Sequence, residues 1–168
     1  MNSDSDLSIA GDILEVQHLL QPARPHPSTV AEFVGLARTI AADRDRWAPL
    51  VRYDTTTRWY HRLHTGPGYE VWLLSWVPGQ GSGRHDHGLS SGVLTVLDGE
   101  LTEHTARGAV TLTPGAQRVF APGYVHEVAN DSLEPAVSLH IYFPGLTEMP
   151  MHSARCAPAA EPETVVPA

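Results

Sequence analysis

The sequence predicts a mainly β fold, a small barrel or sandwich with a helical layer at its N-terminal end. Two observations carry this. From residue 51 onward, short runs rich in Val, Tyr, Trp, Thr and Leu alternate with Gly- and Pro-containing turns, and many short strands with regular turns build a sandwich or barrel. Before residue 50, apolar residues recur at helical spacing instead. A third observation fixes the centre of the chain. The stretch Gly79 to Gly99, GQGSGRHDHGLSSGVLTVLDG, carries His85 and His87 two residues apart.

Taken in order, residues 1–5 have no structural signal and Leu7 to Leu20 reads as a short amphipathic helix. Gln21 to Ser28 holds Pro22, Pro25 and Pro27 and reads as a linker. Thr29 and Glu32 have the spacing of a capping box. The helix they open is expected to bury Val30, Phe33, Val34, Ala37, Ile40 and Ala41, to run to about Trp47, and to be stopped by Pro49. Strands are expected at 51–54, 57–64, 69–77, 91–97, 100–105, 109–113, 117–121, 125–129 and 136–143. Asp98-Gly99, between VLTVL and ELTEH, is a hairpin signal. Cys156 to Ala168, rich in Ala, Pro and Glu, reads as a disordered tail. The resulting division is a helical segment over 1–50 packed on a barrel over 51–150, with a tail over 151–168, all one structural domain.

The chain has 168 residues, enough for one domain with a real core. Lys and Arg number 11 against 19 Asp and Glu, a net charge of −8, which argues against nucleic acid and against an anionic membrane surface as partners. A single cysteine, Cys156, excludes an internal disulfide and fits a reducing compartment. No apolar run reaches the roughly 20 residues of a membrane span, and the acidic start MNSDSDLSIAGD lacks the basic region of a signal peptide. The expectation is a cytoplasmic monomer.

In an extended segment, residues i and i+2 point to one face, so His85 and His87 form half of a metal site and Asp86 points the other way. His126, in PGYVHEVAN, supplies a third imidazole. Imidazole suits Zn, Cu, Fe and Ni, and three neutral ligands leave coordination positions open. The opposing reading is two solvated histidines in a Gly-rich loop.

These residues resemble the cupin motifs. Gly79, five residues, His85-x-His87 and Gly99 match the first; Gly115, Pro122-Gly123, two residues, His126, three residues and Asn130 match the second. The resemblance implies a jelly-roll β-barrel. Two departures stand out: Gly92 occupies the place of the usual glutamate ligand, and the proline of the second motif sits one place late. A narrower resemblance lies in Tyr60-x-Arg62, Trp76, Gly81, His85-Asp86-His87, His126 and Ser138-Leu139-His140-Ile141-Tyr142, which is similar to the thiol dioxygenases. That family implies Fe(II) held by His85, His87 and His126, and L-cysteine chelated through thiolate and amine. It further implies O2 as co-substrate and cysteine sulfinate as product. It also implies Arg62 as the carboxylate clamp with Tyr60 beside it, and Ser138, His140 and Tyr142 as a catalytic chain. Animal members crosslink a cysteine to the active-site tyrosine; the matching position here is Gly92, so Tyr142 is expected to work uncrosslinked.

The chemistry is consistent with that likeness. An open metal site favours the thiolate of an incoming thiol, and a buried carboxylate calls for the bidentate fork of an arginine. Strand alternation puts Ser138, His140 and Tyr142 on one face and Leu139, Ile141 and Phe143 on the other. Arg52 and Arg58 compete with Arg62 for the clamp, whose bland reading is a surface ion pair. Trp72 and Trp76 read as core; His18, His61, His64, His104, His152 and Cys156 read as peripheral. Two further readings stay open: a dioxygenase of another small thiol acid such as 3-mercaptopropionate, or a Zn- or Mn-binding cupin acting as an isomerase or ligand binder.

Overall fold

The computed structural model describes residues 26–152. The helix expected at Leu7 to Leu20 and the tail from Cys156 lie outside them, as do His18 and Cys156 themselves. Helix α1, Val30–Ala42, opens on the capping box: Thr29 Oγ1 accepts from the Glu32 amide, and the Glu32 carboxylate accepts from the Thr29 amide at 2.8 Å. Phe33, Ala37 and Ile40 form its buried stripe, while Val30 is exposed. The helix ends at Asp43, not at Pro49. A one-turn helix α2, Arg44–Trp47, and a 3-10 turn, Ala48–Leu50, follow, with Pro49 inside the turn where it needs no amide hydrogen.

Eight strands follow: β1 Tyr60–Gly66, β2 Tyr69–Trp76, β3 Ser91–Asp98, β4 Leu101–Thr105, β5 Gly108–Leu112, β6 Gln117–Phe120, β7 Glu127–Ala129 and β8 Ala136–Phe143. Residues 51–54 form no strand; the Asp54 carboxylate instead caps a turn through the amides of Thr56 and Thr57. One sheet has the order β1-β2-β8-β3-β6 and the other β5-β4-β7. Asp98-Gly99 therefore does not close a hairpin. It carries the chain from the first sheet to the second, with Gly99 at φ +69.

The two sheets enclose a core that includes Leu74, Trp76, Leu94, Val96, Leu101, Leu112 and Val128. The outer face of the five-stranded sheet is covered by α1, whose Phe33 stacks on Phe143 at 4.0 Å and packs with Val71, Val93, Leu139 and Ile141. Trp47 of α2 extends this layer over Leu73 and Val137. Strand β8 lies between β2 and β3, so its backbone is paired on both sides and both faces are covered. Its register aligns Trp72, His140 and Leu94 across the sheet, and Glu70, Tyr142 and Gly92 beside them. Among the described residues no helix is long and apolar enough to cross a membrane.

Met151 and His152 belong to the folded part rather than to a tail. The His152 amide donates to the Arg84 carbonyl at 2.7 Å, and the Asp86 amide to the Pro150 carbonyl at 3.1 Å. The segment after β8 thus doubles back across residues 84–86.

Candidate metal centre

His85 and His87 lie in an extended segment outside any regular strand. His85 is held by a two-residue backbone bridge to His126, with reciprocal hydrogen bonds of 2.8 and 2.9 Å. Asp86 turns the chain after them: its carboxylate accepts from the Gly88 amide at 2.7 Å and from His152 at 2.6 Å. The bridge and the turn bring all three imidazoles to one place. They are buried, and their candidate ligand atoms lie within 4.8 Å of one another; no carboxylate joins them among the described residues.

These atoms fit a cation. His85 Nε2 and His87 Nε2 are 3.2 Å apart, close enough to share a proton or, with both lone pairs turned inward, a metal. His126 Nε2 is buried with no hydrogen-bond partner. His85 Nδ1 faces the Gly83 carbonyl at 2.9 Å and His126 Nδ1 faces Glu103 at 2.9 Å, so both rings are free to offer Nε2. Burial holds His85 below its ordinary range, and burial with the charges of His85 and His126 takes His87 to about 3. Both rings therefore keep their lone pairs at neutral pH. His87 Nδ1 has no partner. Its plane is set by contact, with Phe120 stacked at 4.6 Å and Tyr142 at 4.9 Å.

Phe120 also fills the space beside Gly92. A Cβ there would overlap the Phe120 ring. Gly92 thus leaves no open room next to Tyr142; the ring of Phe120 occupies it.

Ser138, His140 and Tyr142 form a chain on the inner face of β8. Trp76 Nε1 donates to Ser138 Oγ at 2.8 Å, Ser138 Oγ lies 2.9 Å from His140 Nε2, and Tyr142 Oη lies 3.2 Å from His140 Nδ1. Burial pushes His140 well below its usual range and Tyr142 above its own, so both are neutral.

Beside Tyr142 opens a cavity of about 300 Å³ lined by Arg58, Tyr60, Trp72, Tyr142, Leu146 and Met149, among others. Its cation is Arg58, not Arg62. Arg62 sits on the edge strand β1, half exposed, paired with Glu70 at 3.2 Å. Arg58 precedes the strand, lies over the Trp76 ring at 4.5 Å, and has a buried Nε with no partner. Burial pulls its guanidinium below the ordinary range. Tyr60 stands at the mouth, exposed, with its ring edge on Trp72 at 6.0 Å. Trp72 lines the cavity instead of filling the core, while Trp76 is fully buried. Arg52 is exposed, with its carbonyl accepting from Ser75. His61 stacks on Trp59, His64 lies against Tyr69, and His104 pairs with Asp131, all away from the cluster.

Glu103 escaped the sequence reading. It is buried, accepts from His126 Nδ1 and from Arg118 Nε, and is held below the usual carboxylate range; burial alone would raise it, and the His126 and Arg118 hydrogen bonds outweigh that. The available signal was its phase: Glu103 alternates with Leu101 on the core side of β4.

A family model described as cysteine dioxygenase type I matches residues 3–155. Cysteine dioxygenase type 1 of Homo sapiens and that of Pongo abelii are each 28% identical over 130 residues, covering 68% of this chain and 65% of their own length. The chain thus spans about two thirds of the curated relatives it matches. Among solved structures, a Klebsiella pneumoniae protein described as having a double-stranded β-helix domain superposes with a TM-score of 0.58 at 23% identity, over 64% of this chain and 94% of that one. A cupin superfamily protein from Desulfitobacterium hafniense does so with 0.53 at 15% identity, over 58% and 87%. Both share the barrel.

Proposed function

The chain belongs to the cysteine dioxygenase type I family, and from that membership we propose that it is a non-haem iron thiol dioxygenase converting L-cysteine and O2 to cysteine sulfinate. The observation that carries this is one residue shared by two sites: Tyr142 packs on His87 of the three-histidine cluster and lines the cavity that holds Arg58. Bound at His85, His87 and His126, Fe(II) would supply open coordination positions and the redox capacity to bring O2 onto a thiol sulfur.

The chain's own groups set the substrate. Arg58 receives its carboxylate: a buried guanidinium with an unpaired Nε calls for an anion, and the Trp76 face below it fixes the plane. Arg62 is already paired with Glu70 and does not take this role. Tyr142 donates the second hydrogen bond, and its neighbours dictate the direction. Trp76 can only donate, so Ser138 accepts from it. The Ser138 proton then has one available acceptor, His140 Nε2. His140 carries its own proton on Nδ1, facing the Tyr142 oxygen. That leaves the Tyr142 hydroxyl proton free to point into the cavity. In this arrangement the Trp76, Ser138 and His140 hydrogens all have partners, and the Tyr142 proton is the one left for a ligand. Leu146 and Met149 add apolar lining to the cavity. A thiol substrate also needs a compartment where it stays reduced, in keeping with a cytoplasmic protein.

A second reading, dioxygenation of a thiol acid without an amine such as 3-mercaptopropionate, is favoured by the absence of any carboxylate among the described residues lining the cavity. Oxygen uptake by Fe(II)-loaded protein with cysteine, 3-mercaptopropionate and cysteamine separates them. Cysteine should be the fastest. Arg58→Ala should lower kcat/KM for cysteine by the equivalent of about 2–5 kcal/mol and barely affect cysteamine, which has no carboxylate. Zinc or manganese retained by protein purified without added metal, with no oxygen uptake on iron loading, would overturn the dioxygenase reading.

A further inference from the structure

We propose that Glu103 is a positioning residue for the metal centre. Pinned by Arg118, its carboxylate holds His126 in the tautomer that presents a bare Nε2 to the cluster. The inference rests on the reading of the three histidines as a metal site. Glu103 projects from the three-stranded sheet, opposite the sheet that carries Ser138, His140 and Tyr142, and its side chain is 2% exposed. One carboxylate oxygen lies 2.9 Å from His126 Nδ1 and the other accepts from Arg118 Nε. An ionised carboxylate has no proton to give, so the proton between Glu103 and His126 belongs to Nδ1. His126 Nε2 is then a lone pair, and it is the atom buried without a partner.

The three rings are held differently. His85 donates to a neutral carbonyl, His87 is fixed by aromatic contact without a hydrogen bond, and His126 alone leans on a charge. Arg118, which is partly exposed, balances that charge. What reaches His126 is orientation and added donor strength with little net negative potential at the metal position. The placement of Arg118 on β6, two residues before Phe120, lets one short strand brace both His126 and His87.

Two readouts on metal-free protein and its Co(II) titration test this. Nitrogen-15 NMR of the His126 ring should show the Nδ1–H tautomer in the wild type and a mixture in Glu103→Leu. Co(II) affinity should fall about 10- to 100-fold in Glu103→Leu. Arg118→Met removes the pin but keeps the hydrogen bond to His126, so it should keep the Nδ1–H tautomer and cost less Co(II) affinity than Glu103→Leu. Glu103→Gln retains an acceptor for Nδ1–H and should recover most of the affinity, which covers the case that the leucine variant fails to fold. An Nε2–H tautomer in the wild type, or wild-type Co(II) binding in Glu103→Leu, overturns the proposal. So does an Arg118→Met loss as large as that of Glu103→Leu, which would make the pair a brace between strands. If the wild type takes up no Co(II), the metal reading fails, and the tautomer still decides the role of Glu103.

Discussion

Alternate residues of β8 are equally buried and do opposite things. Val137, Leu139 and Ile141 point outward and are 0–1% exposed beneath the helical layer; Ser138, His140 and Tyr142 point inward and are 0–7% exposed. Burial does not distinguish the two sets. What covers them does: side chains of α1 and Trp47 on one face, a hydrogen-bonded relay and a cavity on the other. An alternating strand is usually read as core on one side and water on the other. On a central strand with a helix on its back, the polar set has no water to face and has to be satisfied inside the protein. Polar residues in that position mark a site.

The largest expected effect on this contrast comes from the outer face. Leu139→Ala should destabilise the protein by about 2–5 kcal/mol, read as a lower urea midpoint, while Co(II) affinity of the folded protein stays at the wild-type value. A loss of metal affinity at a temperature where the variant is fully folded would show that the two faces are coupled. On the inner face, Tyr142→Phe removes the hydroxyl that the proposed function assigns as a donor to the substrate carboxylate, about 1.5–3 kcal/mol. It should lower kcat roughly ten- to a hundredfold with iron content unchanged. His140→Ala should reproduce most of that loss, and the double variant should be little worse, since the two act as one unit; additive losses would give His140 a separate task.

Next is the strand beside it. Gly92→Ala should cost about 1–3 kcal/mol by overpacking against Phe120. In a Phe120→Leu background the same change should cost measurably less, as expected for residues in contact. Equal cost in both backgrounds would mean the ring yields freely. The smallest effect is at the rim. Arg62→Ala breaks a half-exposed ion pair worth at most about 1 kcal/mol and should leave the cysteine KM nearly unchanged, in contrast to Arg58→Ala. A KM rise matching that of Arg58→Ala would return the clamp to Arg62.

Much of this was legible in the residues. The capping box at Thr29, eight of the nine expected strands and the alternation of β8 follow from local chemistry that the fold does not override. His85 and His87 share a face by their i, i+2 spacing, and His126 could be joined to them through the resemblance to the two cupin motifs. Arg58 and Arg62 could not be told apart. Both precede or enter one strand, and their difference lies in the Glu70 partner across the sheet and the Trp76 ring beneath, which are tertiary facts. Asp98-Gly99 has the turn chemistry of a hairpin, but whether the chain turns within a sheet or between sheets depends on which strands it later meets. Residues 51–54 have β-prone side chains, but the Asp54 carboxylate closes a turn on the amides of Thr56 and Thr57 instead. The segment at Met149 to His152 carries no periodic signal, because it is held by backbone hydrogen bonds to residues 84–86 rather than by a pattern of side chains.

The position of β8 also governs when the protein can fold. Among the described residues it is the last strand, yet it is the middle strand of its sheet, between β2 and β3. While the chain is being synthesised, β2 and β3 therefore have no partner to join them, and the inner face of the barrel stays open until residue 143 is available. Folding waits on contacts far apart in sequence, a topology that slows the search and leaves unpaired strand edges exposed in the meantime. The strand that closes the sheet is also the one that delivers Ser138, His140 and Tyr142, so the relay appears only in a chain whose barrel is already complete. A chain cut short anywhere before β8 would lose the whole barrel together with the relay, and would present its open edges to the quality control of the cell.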